Sequence, residues 1–305
     1  MRYVLCWLLA CSLAASAASP RETAPGAIRA SFITLHDGTR LHCLEAGTLG
    51  TEPTLVLIPG LTLPAFLWNE QLKLFSAHRL VIAIDPRSQG DSTKSVAGNT
   101  PEQRAADLHE ILTIRHVPRM VLVGWSQGAQ DVAAYLQQFG TSQLAAVAFV
   151  DSPVAGGPAD LDTNKEFVRG LLGRLPGYVE HPEQYATGLA KSLFRKPHPE
   201  LNIDAIIAQI RKTPIDTAVT MLIMDLLAVD RRPALARLDR PTLVIASADS
   251  ELLEAQKSMA KMIPQARFVS VPETGHAVFV DDPTTFNRAL QQLLDAATAA
   301  GRSAQ

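Results

Sequence analysis

The sequence predicts an α/β fold in which a mostly parallel sheet carries helices on both faces. Short apolar runs alternate with segments of helical periodicity along most of the chain. Within this alternation, Met120-Val121-Leu122-Val123 is a run rich in β-branched residues, typical of a strand buried on both faces. One long interval lacks strong strand patterns altogether, which indicates an insertion into the sheet rather than a further part of it.

The strands can be assigned in order. Residues 28–35, a His36-Asp37-Gly38 turn and residues 40–46 indicate a hairpin at the start of the fold. The following apolar runs lie at residues 55–58, 80–84, 120–123, 145–150, 243–245 and 268–271. Helical periodicity occurs in the intervals between them, at residues 66–75, 101–115, 127–139, 251–262 and 284–297.

The interval that breaks this rhythm spans residues 156–240. It holds several helix-like pieces separated by prolines, and a structureless loop of that length is uncommon within a compact domain. We therefore expect a helical cap over residues 156–240, inserted after the sixth strand into a core made of residues 28–155 and 241–299.

The amino terminus predicts an export signal. A basic start precedes the apolar residues 4–10, and Ala15-Ser16-Ala17 supplies small residues for cleavage, so residues 1–17 resemble a secretory signal peptide that is too short to span a membrane. Residues 18–27 are expected to be a linker, and the mature protein to be secreted or periplasmic. An alternative is a lipoprotein cleavage box with Cys11 as the lipidated residue.

Composition excludes several classes of function. Two of the three cysteines lie in the signal segment, which leaves Cys43 without a partner for an intramolecular disulfide. A net charge of −2 offers no electrostatic basis for binding nucleic acid or an anionic membrane. No metal-binding or nucleotide-binding motif is present, so no cofactor is expected, and the oligomeric state is left open.

The motif Gly124-Trp125-Ser126-Gln127-Gly128 carries the most chemical information. It lies between a predicted strand and a predicted helix, the setting in which a sharp turn exposes a serine as a nucleophile. Glycines tolerate such a turn, and the helix amino terminus directs N–H groups towards any anion that forms nearby. Outside that setting the pattern is a common Gly/Ser turn.

A serine nucleophile needs a base and an acid that orients it. His276 follows the last predicted strand, at the edge where open α/β sheets bind ligands, and is the expected base. Asp249 follows the preceding strand and is the expected acid, although a turn aspartate there could simply cap the next helix. Asp151, at the end of the sixth strand, is the competing acid.

Two backbone donors are expected to stabilise an oxyanion. One is the N–H of Gln127, next to the serine, and the other is the N–H of Leu61, in the Pro59-Gly60-Leu61 loop after the strand at residues 55–58. Trp125 is a candidate substrate-binding residue that could line an acyl pocket together with Trp68. Packing in the core is the alternative for both tryptophans.

These residues resemble the α/β-hydrolase superfamily, in its capped esterase-like and perhydrolase-like branch. The resemblance covers residues 32–294 and includes the loop at residues 85–92, which is similar to the family's D-x-R-G-x-G-x-S pattern, and Gly275-His276 followed by Asp282-Pro283. Ser126, Asp249 and His276 also follow one another in the family's order. The sequence departs from the family at Pro59, where histidine is usual, and at Ser88, where glycine is usual.

The resemblance implies a serine hydrolase that acts on carboxylic esters of small to medium size through an acyl-enzyme. Two alternatives stay open: the same triad could serve lactone or amide hydrolysis or perhydrolysis, or the chain could be a non-catalytic binding protein with this fold. Serine at position 126 excludes the haloalkane dehalogenase reaction, which needs a carboxylate there. The expected partner is a small molecule.

Overall fold

The computed structural model describes residues 26–303. The predicted signal peptide, its cleavage site, Cys11 and most of the linker lie outside the described residues. Among those residues, no helix combines the length and apolar character needed to cross a membrane.

The described residues form a single sheet of eight strands. In chain order the strands are β1 (Arg29–Thr34), β2 (Arg40–Ala46), β3 (Thr54–Ile58), β4 (Val81–Ile84), β5 (Met120–Trp125), β6 (Leu144–Val150), β7 (Thr242–Ser247) and β8 (Ala266–Val271). Their order across the sheet is β1-β2-β4-β3-β5-β6-β7-β8. The hairpin at the edge is antiparallel, and every pairing from β4 to β8 is parallel.

Helices cover both faces of the sheet. They are α1 (Asn69–Phe75), α2 (Pro101–Ile114), α3 (Gln127–Phe139), α4 (Asp160–Thr163), α5 (Lys165–Glu180), α6 (Pro182–Ser192), α7 (Ile203–Ile210), α8 (Ile215–Ile223), α9 (Arg232–Leu235), α10 (Leu253–Met262), α11 (Val278–Asp281) and α12 (Pro283–Ser303). A 3-10 turn at Ala65–Trp68 leads into α1, and a π-helical turn at Met224–Ala228 continues α8.

The central strands are buried on both faces, as their composition predicts. In β5, Val121 and Val123 enter the core cluster on one side of the sheet, whereas Met120 and Leu122 enter the cluster on the other side. This division follows from the two-residue repeat of a strand. The sheet is thus packed against a core cluster on each face, and the carboxyl ends of the parallel strands lie together at one edge.

The region between β6 and β7 is helical, and the prediction of a cap inserted after the sixth strand is confirmed. It contains α4 to α9 and the π-helical turn, and we refer to residues 157–235 as the cap. Pro176 lies inside α5 instead of separating two helices. The fold class predicted from the sequence is therefore the one observed.

Candidate active site

Ser126 lies at the sharp turn between β5 and α3. Its backbone has φ 55° and ψ −116°, a conformation that L-residues seldom adopt and that occurs mainly where function requires it. The turn depends on Gly124, because a Cβ there would lie 2.3 Å from the carbonyl oxygen of Gly128. Hydrogen bonds from the Ser126 amide to Val150 and from the Ala129 amide to Ser126 secure the turn on both sides.

His276 follows β8 and contacts an aspartate on the neighbouring part of the sheet edge. Its Nδ1 lies 2.8 Å from Oδ2 of Asp151, whose side chain is 4% exposed, whereas the histidine side chain is 32% exposed. The other carboxylate oxygen of Asp151 accepts hydrogen bonds from the Ser247 amide and from Nε2 of Gln256. Asp151 is thus held in one orientation by two donors on this oxygen, of which the Ser247 amide can only donate.

The structure corrects the expectation that Asp249 orients His276. The Asp249 side chain is 53% exposed, and its ion pair, at 3.8 Å, is with Arg195. Asp249 lies in the turn beyond β7, whereas Asp151 follows β6 directly and donates its own amide to Ile245 of β7. That backbone pairing turns the Asp151 side chain towards His276, so the competing acid is the one that meets the histidine.

Trp125 was a candidate for contact with substrate, and this expectation is wrong. The residue is fully buried, and its indole Nε1 donates a 2.9 Å hydrogen bond to the carbonyl oxygen of His276. Its ring packs edge-on against Trp68 and Phe279. Trp125 therefore supports the loop that carries His276, which is the packing role that the sequence left open.

The two candidate oxyanion donors both lie close to Ser126 and line the same cavity. A Cβ built on Gly60 would be 3.0 Å from the Cβ of Ser126, which shows how closely the Gly60-Leu61 loop approaches the serine. In the described part of the chain, no backbone or side-chain acceptor takes the amide hydrogen of Leu61 or Gln127. Both amides are therefore available to an anion.

The loop that carries His276 is anchored by Asp281. One carboxylate oxygen accepts from the backbone amides of Arg195 and Gly275 at 2.8 and 2.6 Å. The other accepts from the backbone amide of Lys196 and from Nε2 of His198. Burial acts to raise the pKa of Asp281, but hydrogen bonds from the Arg195 and Gly275 amides and from His198 outweigh it, so the pKa lies below its usual range.

A cavity of about 600 Å³ opens above these groups, between the sheet edge and the cap. Ser126, Gln127, Asp151, His276 and Leu61 line its floor. The cap contributes mainly apolar side chains, among them Phe167, Leu171, Leu189, Leu193, Phe194, Leu222 and Leu226. A cavity of this size and lining suits a small molecule with an apolar portion.

One group in residues 26–303 has the residue types of a metal site. Ligand atoms of His42, Asp85 and Asp91 lie within 4.8 Å of one another. These groups already have partners, because His42 Nδ1 lies 2.8 Å from Asp85 and Asp91 forms an ion pair with Lys212. The Asp85 carboxylate also accepts hydrogen bonds from the amides of Ala65 and Asp91, so its role is to hold the loops after β3 and β4 in place.

The chain belongs to the alpha/beta hydrolase family, which it matches over residues 55–289. It is 26% identical over 247 residues to a putative non-heme chloroperoxidase from Synechocystis sp., covering 75% of this chain and 87% of that protein. It is 25% identical over 264 residues to N-formylmaleamate deformylase from Pseudomonas putida, and the match covers 85% of this chain and 94% of that protein. An esterase structure from Exiguobacterium antarcticum superposes with a TM-score of 0.77 at 21% identity, covering 88% of this chain and all of that one.

Two residues next to the candidate oxyanion donors were not identified from the sequence. Gln89 and Asp225 both contact the side chain of Gln127. Gln89 lies within the quoted loop at residues 85–92, where its position could have drawn attention. Asp225 lies in the cap, 98 positions from Gln127 along the chain, and no local pattern marks it.

Proposed function

We propose that this protein is a serine hydrolase that cleaves carboxylic esters through an acyl-enzyme. Ser126 attacks the carbonyl carbon, His276 accepts the serine proton and then donates it to the leaving alcohol, and Asp151 holds the imidazole in the required tautomer and stabilises the imidazolium. The amides of Leu61 and Gln127 donate to the oxyanion of the tetrahedral intermediate. Water then attacks the acyl-enzyme with His276 again acting as base.

The observation that carries the proposal is the 2.8 Å contact between His276 and Asp151, which lies on the floor of the cavity beside Ser126. A buried acid, a histidine and a serine on a strained turn are the residue types that nucleophilic catalysis uses, and their place on one cavity floor supports the proposal. The apolar cap lining supports an ester with a hydrocarbon acyl or alcohol group of moderate size. We further propose that the mature protein is exported, as its amino terminus predicts.

The test uses p-nitrophenyl esters of increasing acyl length and a fluorophosphonate probe. Wild-type protein should hydrolyse the esters and become labelled at Ser126, and Ser126→Ala should lose both properties while keeping its melting temperature. Turnover that survives in Ser126→Ala would remove the serine from the mechanism. A folded wild-type protein that neither hydrolyses nor labels would favour a binding protein.

A second candidate reaction, amide hydrolysis, is favoured by the likeness to N-formylmaleamate deformylase, which spans 94% of that protein. The same nucleophile, base and oxyanion donors would act on an amide, with His276 protonating a leaving amine. Steady-state rates on matched esters, lactones and amides, with and without hydrogen peroxide as acyl acceptor, distinguish hydrolysis of each bond from perhydrolysis.

A further inference from the structure

The side chain of Gln127 belongs to a buried hydrogen-bond chain that joins three separate parts of the fold. Its Oε1 accepts from Nε2 of Gln89 at 2.6 Å, and its Nε2 donates to Oδ2 of Asp225 at 2.6 Å. Gln89 in turn accepts, through Oε1, a short hydrogen bond from the amide of Thr62. Gln89, Gln127 and Asp225 are 0, 6 and 3% exposed, so these contacts are largely shielded from bulk water.

Each group in this hydrogen-bond chain has a forced orientation. The Thr62 amide can only donate, so Gln89 must present its oxygen to Thr62 and its NH₂ to Gln127. Gln127 must then present its oxygen to Gln89 and its NH₂ to the cap, where only an acceptor can complete the series. The carboxylate of Asp225 is that acceptor. Because every group is satisfied in a single arrangement, the buried hydrogen-bond chain is rigid.

Asp225 is fixed from the core side as well. Its other oxygen accepts from Nη2 of Arg104 at 2.6 Å, and Nε of Arg104 donates to Asp131 of α3 at 2.9 Å. Burial raises the pKa of Asp225, and the charge of Arg104 acts against it. Because Arg104 on α2 holds Asp225, the π-helical turn of the cap is tied to the core directly beside the candidate nucleophile.

We propose that Gln89 and Asp225 are positioning residues that hold the two oxyanion donors at a fixed separation, so that the cap completes the oxyanion hole. The inference rests on the proposed function. One end of the hydrogen-bond chain holds the peptide between Leu61 and Thr62, next to the first donor, and the middle holds Gln127, which carries the second. Neither Gln89 nor Asp225 needs to touch the substrate for this role.

The first test is the substitution Asp225→Asn. The amide side chain that it introduces has a single oxygen, which cannot accept from both Gln127 and Arg104, so one donor must face another donor. We expect kcat to fall roughly 10- to 100-fold with KM within about threefold, because a displaced oxyanion donor weakens binding of the transition state and not of the substrate. Asp131→Asn is the matched control, since it removes a carboxylate from the same arginine but leaves Gln127 untouched.

A boronic acid separates positioning from general destabilisation. Its tetrahedral adduct with the serine is an anion that places a boronate oxygen in the oxyanion hole, whereas a product alcohol does not. In Asp225→Asn the inhibition constant of an alkyl boronic acid should weaken by a factor similar to the loss in kcat, and that of the product alcohol should stay within about threefold. If Asp225→Asn does not fold, Gln89→Leu provides the same comparison, because the leucine side chain can neither accept from the Thr62 amide nor donate to Gln127.

A compensating pair gives the sharpest result. In Gln89→Glu/Asp225→Asn, the new glutamate accepts from both Thr62 and a flipped Gln127 amide, and the new asparagine donates to Gln127 while its oxygen accepts from Arg104. Every donor and acceptor is then paired again, with the two hydrogen bonds of the Gln127 side chain reversed in direction. The double variant should recover most of the kcat that Gln89→Glu or Asp225→Asn loses alone. Losses that instead multiply would overturn the proposal.

The two proposals fail in different ways. If wild-type protein hydrolyses esters and Ser126→Ala does not, the proposed function stands. If Asp225→Asn and Asp131→Asn then lose kcat equally and their affinity for the boronic acid is unchanged, only the positioning role is overturned. If wild-type protein neither turns over an ester nor reacts with a fluorophosphonate, both proposals fall together.

Discussion

The choice between Asp151 and Asp249 can be tested directly by replacing each with asparagine. The two aspartates follow neighbouring parallel strands, and only Asp151 meets His276, at 2.8 Å. Asp151→Asn should therefore impair the reaction severely. Asp249→Asn, which alters an exposed side chain with an ion pair 3.8 Å long, should keep kcat within about threefold.

The expected size of the Asp151 effect follows from its hydrogen bonds. One oxygen accepts from the Ser247 amide at 3.0 Å and from Gln256 at 3.3 Å, so an asparagine oxygen is required on that side. The asparagine NH₂ must then face Nδ1 of His276, which makes Nδ1 an acceptor and puts the imidazole proton on Nε2. A histidine in that tautomer cannot accept a proton from Ser126.

Loss of the correct tautomer in a Ser-His-Asp system lowers kcat by about 10³- to 10⁴-fold, which corresponds to about 4 to 5.5 kcal/mol in the barrier. The assay is kcat for a p-nitrophenyl ester at saturating substrate, together with the rate of fluorophosphonate labelling and the melting temperature. A folded Asp151→Asn protein with near wild-type kcat, or a larger loss in Asp249→Asn, would refute the assignment of the acid.

Two further predictions concern the loop that carries His276. Gly275→Ala should lower kcat by on the order of 10²-fold, measured with the same ester, since the new Cβ would lie 2.7 Å from the carbonyl oxygen of Leu193 and must displace the loop by a sizeable fraction of an ångström; unchanged kcat would show that the loop position is not critical. Asp281→Asn should lower stability by on the order of 3 kcal/mol at neutral pH, because in either orientation its NH₂ would face a backbone donor, the Arg195 and Gly275 amides on one side or the Lys196 amide on the other. The pKa of Asp281 is lowered in the folded protein, so its contribution to stability is present above the unfolded pKa near 4 and is lost as pH falls below that value. Thermal unfolding curves of the wild-type protein and Asp281→Asn should therefore converge under acid conditions. A stability difference that stays constant with pH would contradict this sign.

The sequence predicted the fold well because the signals that specify it are local. The apolar run at β5, the glycines around Ser126 and the helical periodicity of α3 lie within about twenty consecutive residues, and each reflects the conformational preference of a short segment. The serine turn could therefore be predicted with its residue number. His276 was identified in the same way, from its place in the loop after the last strand, and its role as the base stays a prediction.

The acid could not be chosen in this way. Asp151 and Asp249 both follow strands of the parallel sheet, and both lie between Ser126 and His276 in the chain, so the order on which the choice of Asp249 was based does not distinguish them. What decides between them is the pairing of the Asp151 amide with Ile245 and the turn that carries Asp249 out to Arg195. Neither contact has a signal in the local sequence, because each depends on where a distant segment packs.

The sequence by itself thus determined the sheet, the cap and the strained serine turn, since short-range periodicity and glycine placement specify them. Tertiary structure alone decided which aspartate meets His276, that Trp125 is a packing residue, and that Gln89, Gln127 and Asp225 join loop, helix and cap through one series of hydrogen bonds. Hydrogen bonds between segments far apart in the chain depend on distances and directions to within a few tenths of an ångström, and only the packed core defines those.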